Sequence, residues 1–219
     1  GKPLSTAGMM IEDRTRTFII AMERTVVPEN FSFRMTDEEY RVLEKIKNSI
    51  PVCYLADHAD FALGIVTGNN KKFLSAEKTE NSEMVLKGTD ICKYHINPVK
   101  QYLRFEPEQF QQVAPLEIYR APEKLLYRFI SNQLVVAYDD RQMLSLNSCN
   151  IVIPKIEGMQ IKYILAILNS SVSQFVYQKE FHSIKVLRAH MEHIPIPRVG
   201  KAIQNEIIAM TEPLICGME

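Results

Sequence analysis

The side chains best suited to chemistry in this chain are amides and cations, and they fall into three groups. Residues 64–74 read GIVTGNNKKFL, which sets Asn69, Asn70, Lys71 and Lys72 directly after Thr67 and Gly68. Arg120, Lys124 and Arg128 follow one another at four-residue spacing, and Lys179, His182, Lys185 and Arg188 lie close together further on. Lys and Arg neutralise phosphate oxygens, and Asn and Arg can pair bidentately with base edges. These groups are equipped to grip an anion, not to break a bond. Each also has a plainer reading. Lys71 and Lys72 can be solvated turn charges, Arg128 can pair with an acid in mid-strand, and Lys185 and Arg188 can be ordinary helix residues.

Reactive patterns are missing. No GxGxxG or GxxxxGK[ST] loop is present to cradle a phosphate, and no GxSxG elbow presents a serine. No Asp or Glu has Lys two positions later, the pattern of a common metal-dependent nuclease. His190 and His193 can share a helix face, but no third ligand is nearby, so no metal site is expected. Asp57, His58 and Asp60 in ADHAD have acid–base character and read as a surface loop.

Composition narrows the classes. The 219 residues are 46% apolar and 24% charged, enough to bury a core without staples. The 26 basic residues balance 26 acidic ones, so no global field draws the chain to a polyanion and only a local patch can. One such patch runs from 179 to 201, where Lys179, Lys185, Arg188, Arg198 and Lys201 outnumber Glu180 and Glu192. Cys53, Cys92, Cys149 and Cys216 show no CxxC pairing and read as reduced, mostly buried thiols of a cytoplasmic protein. No run reaches membrane-spanning length. The chain opens on Gly1 and stops just after an apolar helical pattern, as a piece of a longer protein would.

The elements that must position these groups can be sketched. Residues 1–10 look loose, and RTFIIA (16–21) reads as a strand. TDEE (36–39) is a capping box that starts a helix over 37–49, ended by Pro51. From 52 to 158 the signals are short and strand-like: 52–55, 63–66, 72–74, a hairpin of KLLYRFI (124–130) with LVVAY (134–138), and NIVI (150–153). Residues 160–178 carry apolar positions at helical spacing and predict one long amphipathic helix. IPIP (194–197) is extended, and 202–215 begins another helix. The class expected is α+β, a mixed and mainly antiparallel sheet of short strands with flanking helices.

Three segments taken together resemble a known family: LGIVTGNNKKFL (63–74), LLYRFISNQLVVAYDDRQMLSLNSCNIVIP (125–154) and YILAILNSSVSQFVYQKEFHSIKVLRAHMEHIPIP (163–197). This ordered set is similar to the TaqI-like C-terminal specificity domain, the target-recognition domain of adenine-N6 DNA methyltransferases and of fused type IIG restriction–modification enzymes. The third segment is also similar to target-recognition domains of type I specificity subunits. The resemblance covers roughly residues 50–200. It implies a domain that faces a methyltransferase domain of the same chain and reads a short sequence in double-stranded DNA. The partner half would bind S-adenosylmethionine and methylate a flipped adenine, and a nuclease module can accompany it. The fragment itself would carry no catalysis and no cofactor. Asn97-Pro98-Val99-Lys100 lacks the second Pro and the aromatic of the family's catalytic loop, so residue 97 takes no such role. Gly64, Thr67, Gly68, Asn69 and Asn70 match the family's glycine-rich loop, and Asn147 and Ser148 match its LNS element. Lys71, Lys72, Arg120, Arg128, Lys179, His182, Lys185 and Arg188 are candidate contacts by charge, not by the match.

The organisation this implies is a connecting strand and helix over 1–50, a DNA target-recognition domain over 51–197, and the start of a further helix over 198–219. Two other functions compete. The long helix and the 202–215 helix can instead pack on a protein partner in a scaffold module without DNA binding. A stand-alone hydrolase ranks last, because no nucleophile–base–acid set is present.

Overall fold

The computed structural model describes residues 35–181 and 183–217, together with the backbone of Gly8–Glu12 and Thr17–Ala21. Strands β1 (Gly8–Glu12) and β2 (Thr17–Ala21) pair antiparallel. Helix α1 (Asp37–Asn48) starts at the capping box: the Glu39 N–H donates to Thr36 Oγ1 at 3.2 Å, and the Thr36 N–H donates back to the Glu39 carboxylate at 3.0 Å. Then come β3 (Val52–Cys53), β4 (Ala59–Ala62), the one-turn helix α2 (Asn70–Phe73), β5 (Leu74–Ser75), β6 (Ser82–Leu86) and β7 (Tyr102–Arg104). Helix α3 (Leu116–Tyr119) leads into β8 (Lys124–Arg128), β9 (Val136–Asp139), β10 (Leu144–Ser145) and β11 (Cys149–Pro154). The chain closes with α4 (Ile161–Asn169), α5 (Ser171–Glu180), α6 (Arg188–Glu192), β12 (Ile196–Pro197) and α7 (Lys201–Ile215).

The central sheet has the order β4-β11-β8-β9 and is antiparallel throughout. Alternation along its strands divides the interior in two. Leu125, Tyr127, Val136, Tyr138 and Val152 face one core with Tyr163, Leu168 and Val176 of the helical layer. Leu126, Ala137, Cys149 and Ile151 face a second core with Val85 and Leu103 of the smaller sheet β10-β6-β7-β5. Being covered on both faces, β8 must be apolar at successive positions, which explains the run LLY in KLLYR. β12 pairs with β3, Ile196 opposite Cys53, so the two ends of the 52–197 region meet. The α+β class with a mixed, mainly antiparallel arrangement is as expected, β10–β6 being the parallel pair. No helix among the described residues is long and apolar enough to cross a membrane.

Several expectations need correction. The helix expected over 160–178 is two helices, because Ser170 is extended (φ −65°, ψ 157°) and its hydroxyl caps α5 by accepting from the Ser173 N–H at 3.1 Å. A serine that can cap competes with continued helix, and the Asn-Ser-Ser run was the visible sign. Residues 72–74, read as a strand, belong to α2 up to Phe73, and β5 follows. The strand expected at 63–66 lies at Ala59–Ala62, with Ile65 and Val66 in isolated bridges. Residues 8–10, expected loose, are in β1. Arg16 and His182 lie outside the described residues. Lys124 is not a surface charge: it is fully buried, 2.5 Å from the equally buried Asp139.

Candidate nucleic-acid interface

Three loops leave the central sheet at one end. β4 ends at Ala62 opposite Ile151, β8 ends at Arg128 opposite Cys149, and β11 begins at Cys149. The segments that follow β4, follow β8 and precede β11 therefore emerge side by side. They carry GIVTGNN, the hairpin tip and LNS.

The first loop is held by its glycines and its aromatic anchor. Ile65 bridges in parallel to Leu146, its N–H donating to the Ser145 carbonyl at 2.7 Å, while the Asn147 N–H donates to the Ile65 carbonyl at 3.1 Å. A Cβ at Gly64 would stand 2.1 Å from the Leu146 carbonyl oxygen, so close backbone approach is what requires glycine there. The Gly64 N–H donates to Asn150 Oδ1 at 3.2 Å. Gly68 has φ +74°, the left-handed region that glycine enters freely. Thr67 is buried and its hydroxyl donates to Asn70 Oδ1 at 2.6 Å. Asn69 caps α2, accepting from the Lys72 N–H at 3.2 Å. Phe73 closes the loop in an edge contact with Phe110 at 5.1 Å.

That anchoring directs the two lysines apart. Lys72 donates to Gln109 Oε1 at 2.6 Å and sits 4.8 Å from the Phe73 ring centroid. Lys71 has no hydrogen-bond or ion-pair partner among the described residues. It lines a shallow concavity with Asn70, Leu74, Lys87, Gln101, Leu146, Asn147 and Ser148. Among the described residues the lining holds two lysines, three side-chain amides and a hydroxyl, with no carboxylate. The two sequence motifs carried by residues 64–70 and 147–148 thus meet around one site. The Gly88 N–H donates to Ser148 Oγ at 2.9 Å, which fixes Lys87 beside the LNS element. Lys87 and Gln101 were not singled out in the sequence. They reach the site through the pairing of β6 with β7 and β10, and the only local sign is a Lys-Gly pair after a strand.

The remaining candidates are placed differently. Arg128 lies at the same end, but its guanidinium donates to the Gly88 carbonyl at 2.9 Å and to the Ile91 carbonyl, so it braces the 88–91 turn. Arg120 lies toward the opposite end of β8, paired with Glu83 at 2.6 Å and donating to the Gln142 carbonyl at 2.7 Å. Lys179 is paired with Glu39 at 2.6 Å. Burial pushes the Glu39 carboxyl up, yet the hydrogen bonds from Lys179 and Thr36 outweigh this and hold it below its ordinary value. Arg188 pairs with Glu192 at 2.7 Å and lies over the Phe61 ring. Lys185 is exposed beside the hairpin tip, opposite Ile130 in an antiparallel bridge.

The other polar sets have structural partners. Asp57 turns the chain at φ +57°, and Asp60 pairs with Lys155 at 2.6 Å. His190 stacks on Phe181 at 4.4 Å and accepts from the Leu187 N–H, and His193 reaches the Ala189 carbonyl. Asn169 of the ILNS run is buried against the edge of β9: its Oδ1 accepts from the Val136 N–H at 3.1 Å and its Nδ2 donates to the Val136 carbonyl at 2.8 Å. It completes the sheet edge as a neighbouring strand would.

Known proteins share the family and the fold. The model of the TaqI-like C-terminal specificity domain matches residues 83–196, more than half of the chain and including the LNS and ILNS segments; the glycine-rich loop precedes the matched part. No curated protein matches. Among solved structures, the type IIL restriction–modification enzyme MmeI in complex with DNA is similar in fold, with a TM-score of 0.51 at 11% identity over 76% of this chain and 29% of that one. A type I R-M system chain has a TM-score of 0.49 at 12% identity, and the HsdS subunit from Thermoanaerobacter tengcongensis 0.47 at 14%, each over 83% of this chain and 45% of the other. The chain thus spans under half the length of these proteins. The family match runs through β7 to β11 and through helix α4, over more than half of the chain: the chain belongs to the TaqI-like C-terminal specificity domain family.

Proposed function

We propose that the chain recognises a short sequence in double-stranded DNA, as the specificity domain of a restriction–modification adenine-N6 methyltransferase. The observation that carries this is the carboxylate-free concavity at one end of the central sheet, where Lys71 and Lys87 stand beside Asn70, Gln101 and Asn147. Ammonium groups there meet phosphates, and side-chain amides offer the paired donor and acceptor that a base edge requires. Methyl transfer belongs to a methyltransferase domain of the same polypeptide, which would hold S-adenosylmethionine. Asn97, in the one Asn-Pro pair of this chain, is no candidate for the catalytic loop of that domain, its amide donating to Cys92 Sγ at 3.2 Å. Helix α7 leaves Ile203, Met210 and Leu214 exposed, which suits a protein neighbour such as that domain.

The test is binding to a randomised duplex library, followed by titration of the recovered sequence against salt. Each phosphate contact contributes about 0.9 to the slope of log K on log salt. Lys71→Ala with Lys87→Ala should therefore flatten the slope by about 1.8. Lys162→Ala, a control whose ammonium is paired with Glu212 at 2.6 Å, should leave it unchanged. Absence of salt-sensitive binding, or an unchanged slope in the double variant, overturns the proposal.

A further inference from the structure

The hairpin tip carries a second feature beside the concavity. The Ser131 N–H donates to the Ile184 carbonyl at 3.0 Å, and the Val186 N–H donates to the Phe129 carbonyl at 2.8 Å. This stitches residues 183–187 onto the tip, with Ile130 opposite Lys185. Opposed residues in an antiparallel bridge project to the same face, and the next residue along projects to the other. Ile130 and Lys185 therefore stand together on the outside, while Val186 turns inward and is 1% exposed. Ile130 is 52% exposed, and Leu187, two residues beyond Lys185 and on the same face, is 41% exposed, so two large aliphatic side chains share that face with the lysine. Lys185 has no carboxylate partner among the described residues; its ammonium lies 5.8 Å from the centroid of the Phe129 ring. The seam adjoins the LNS element directly, since the Phe129 N–H donates to the Ser148 carbonyl at 3.0 Å.

Aliphatic carbon gains nothing from a phosphate. The apolar group that unmodified duplex DNA exposes in its major groove is the C5-methyl of thymine. A surface pairing aliphatics with an ammonium that no carboxylate neutralises matches that methyl and an adjacent phosphate together. The geometry points to Ile130 and Leu187 as readers of a thymine methyl in the target site, with Lys185 on a neighbouring phosphate. This rests on the DNA-recognition reading and extends it to one base type.

The experiment uses the protein in its full natural length and the duplex recovered from the library, with each thymine replaced in turn by deoxyuridine, which lacks only the methyl. One or two positions should lose about fourfold in affinity, the worth of one buried methyl. Ile130→Ala with Leu187→Ala should bind the thymine duplex about fourfold more weakly and no longer distinguish it from the deoxyuridine form, with its salt slope unchanged because no charge is removed. The inference is overturned if the wild type is indifferent to every replacement, or if the double variant keeps the discrimination. It is equally overturned if that variant loses association with a protein partner while binding DNA normally. Failure of the underlying DNA reading shows separately, as absent salt-sensitive binding by the wild type.

Discussion

Replacing Asn169 tests whether the ILNS segment is a structural clamp. Val136 is fully buried, and its N–H is matched by Asn169 Oδ1 alone, whereas its carbonyl also accepts from the Tyr94 N–H at 2.8 Å. Asn169→Ala thus orphans one buried donor, at about 1–3 kcal/mol, and removes a second bond worth about 1 kcal/mol. The total is about 2–4 kcal/mol, a fall in Tm of about 4–16 °C for a chain of this size. Asn169→Asp adds a sharper test. It keeps the acceptor for the N–H but sets a carboxylate oxygen against the Val136 carbonyl, where a protonated carboxyl would donate instead. Its folded-state pKa is therefore raised above the unfolded value. The charged form is penalised at neutral pH, and that penalty shrinks as pH falls toward the folded value. Thermal melts of wild type and both variants, at pH 7 and pH 5, measure the differences. A melt for Asn169→Ala within 1 °C of wild type, or an Asp penalty that does not change with pH, would refute the clamp.

Other consequences follow from the same contacts. Gly64→Ala drives a Cβ onto the Leu146 and Cys149 carbonyl oxygens, 2.1 and 2.7 Å away, and should abolish soluble folded protein, whereas Gly68→Ala should cost only about 1–2 kcal/mol for its positive φ in a denaturant titration. Lys124→Met strands a buried carboxylate and should cost about 3–5 kcal/mol. Adding Asp139→Leu should not recover all of it, because the Arg141 and Met143 N–H groups lose their acceptor. Burial pushes the Cys149 thiol far up, so a thiol reagent should label exposed Cys216 in the native state and reach Cys149 only on unfolding, a difference that peptide mass mapping reads.

What the sequence disclosed was what neighbours in the chain decide. The Thr36–Glu39 box, the 124–138 hairpin and the extended IPIP depend on residues within a few positions. The break at Ser170 was also local, but the apolar spacing on either side of it mimics one continuous helix. Gly64 is legible in the sequence only as part of a glycine-rich loop, and its contact with Leu146, far along the chain, is what shows that close backbone approach requires glycine there. Lys124 looked like a surface cation because its burial depends on Asp139 across the hairpin. Lys87 and Gln101 stayed invisible as site residues for the same reason: pairing of β6 with β7 and β10 brings them to the concavity. Arg120 and Lys179 were chosen for charge, and the acids that occupy them, Glu83 and Glu39, lie outside any local window.

That last point bears on how a chain with no net charge could meet DNA. Arg104, Arg120, Lys155, Lys162, Lys179 and Arg188 are each within hydrogen-bonding distance of a carboxylate, so their charge is cancelled at contact. Beyond a Debye length of about 8 Å little of such a pair is felt. Among the described residues, Lys71, Lys87 and Lys185 have no carboxylate paired with their ammonium groups, and all three lie at or beside the end of the sheet where the loops emerge. The local field there can be positive while the sum over the chain is zero. The same end separates frame from rim. Gly64 with Asn150, Gly88 with Ser148 and Asn169 with Val136 commit their polar groups to one another, so changing them costs several kcal/mol or the fold itself. Among the described residues, the Lys71, Asn147 and Lys185 side chains commit no such bonds, and substitution at surface positions of that kind stays within about 0.5 kcal/mol of neutral. On the DNA-recognition reading, the rim can therefore be exchanged to read another sequence while the frame that presents it stays folded.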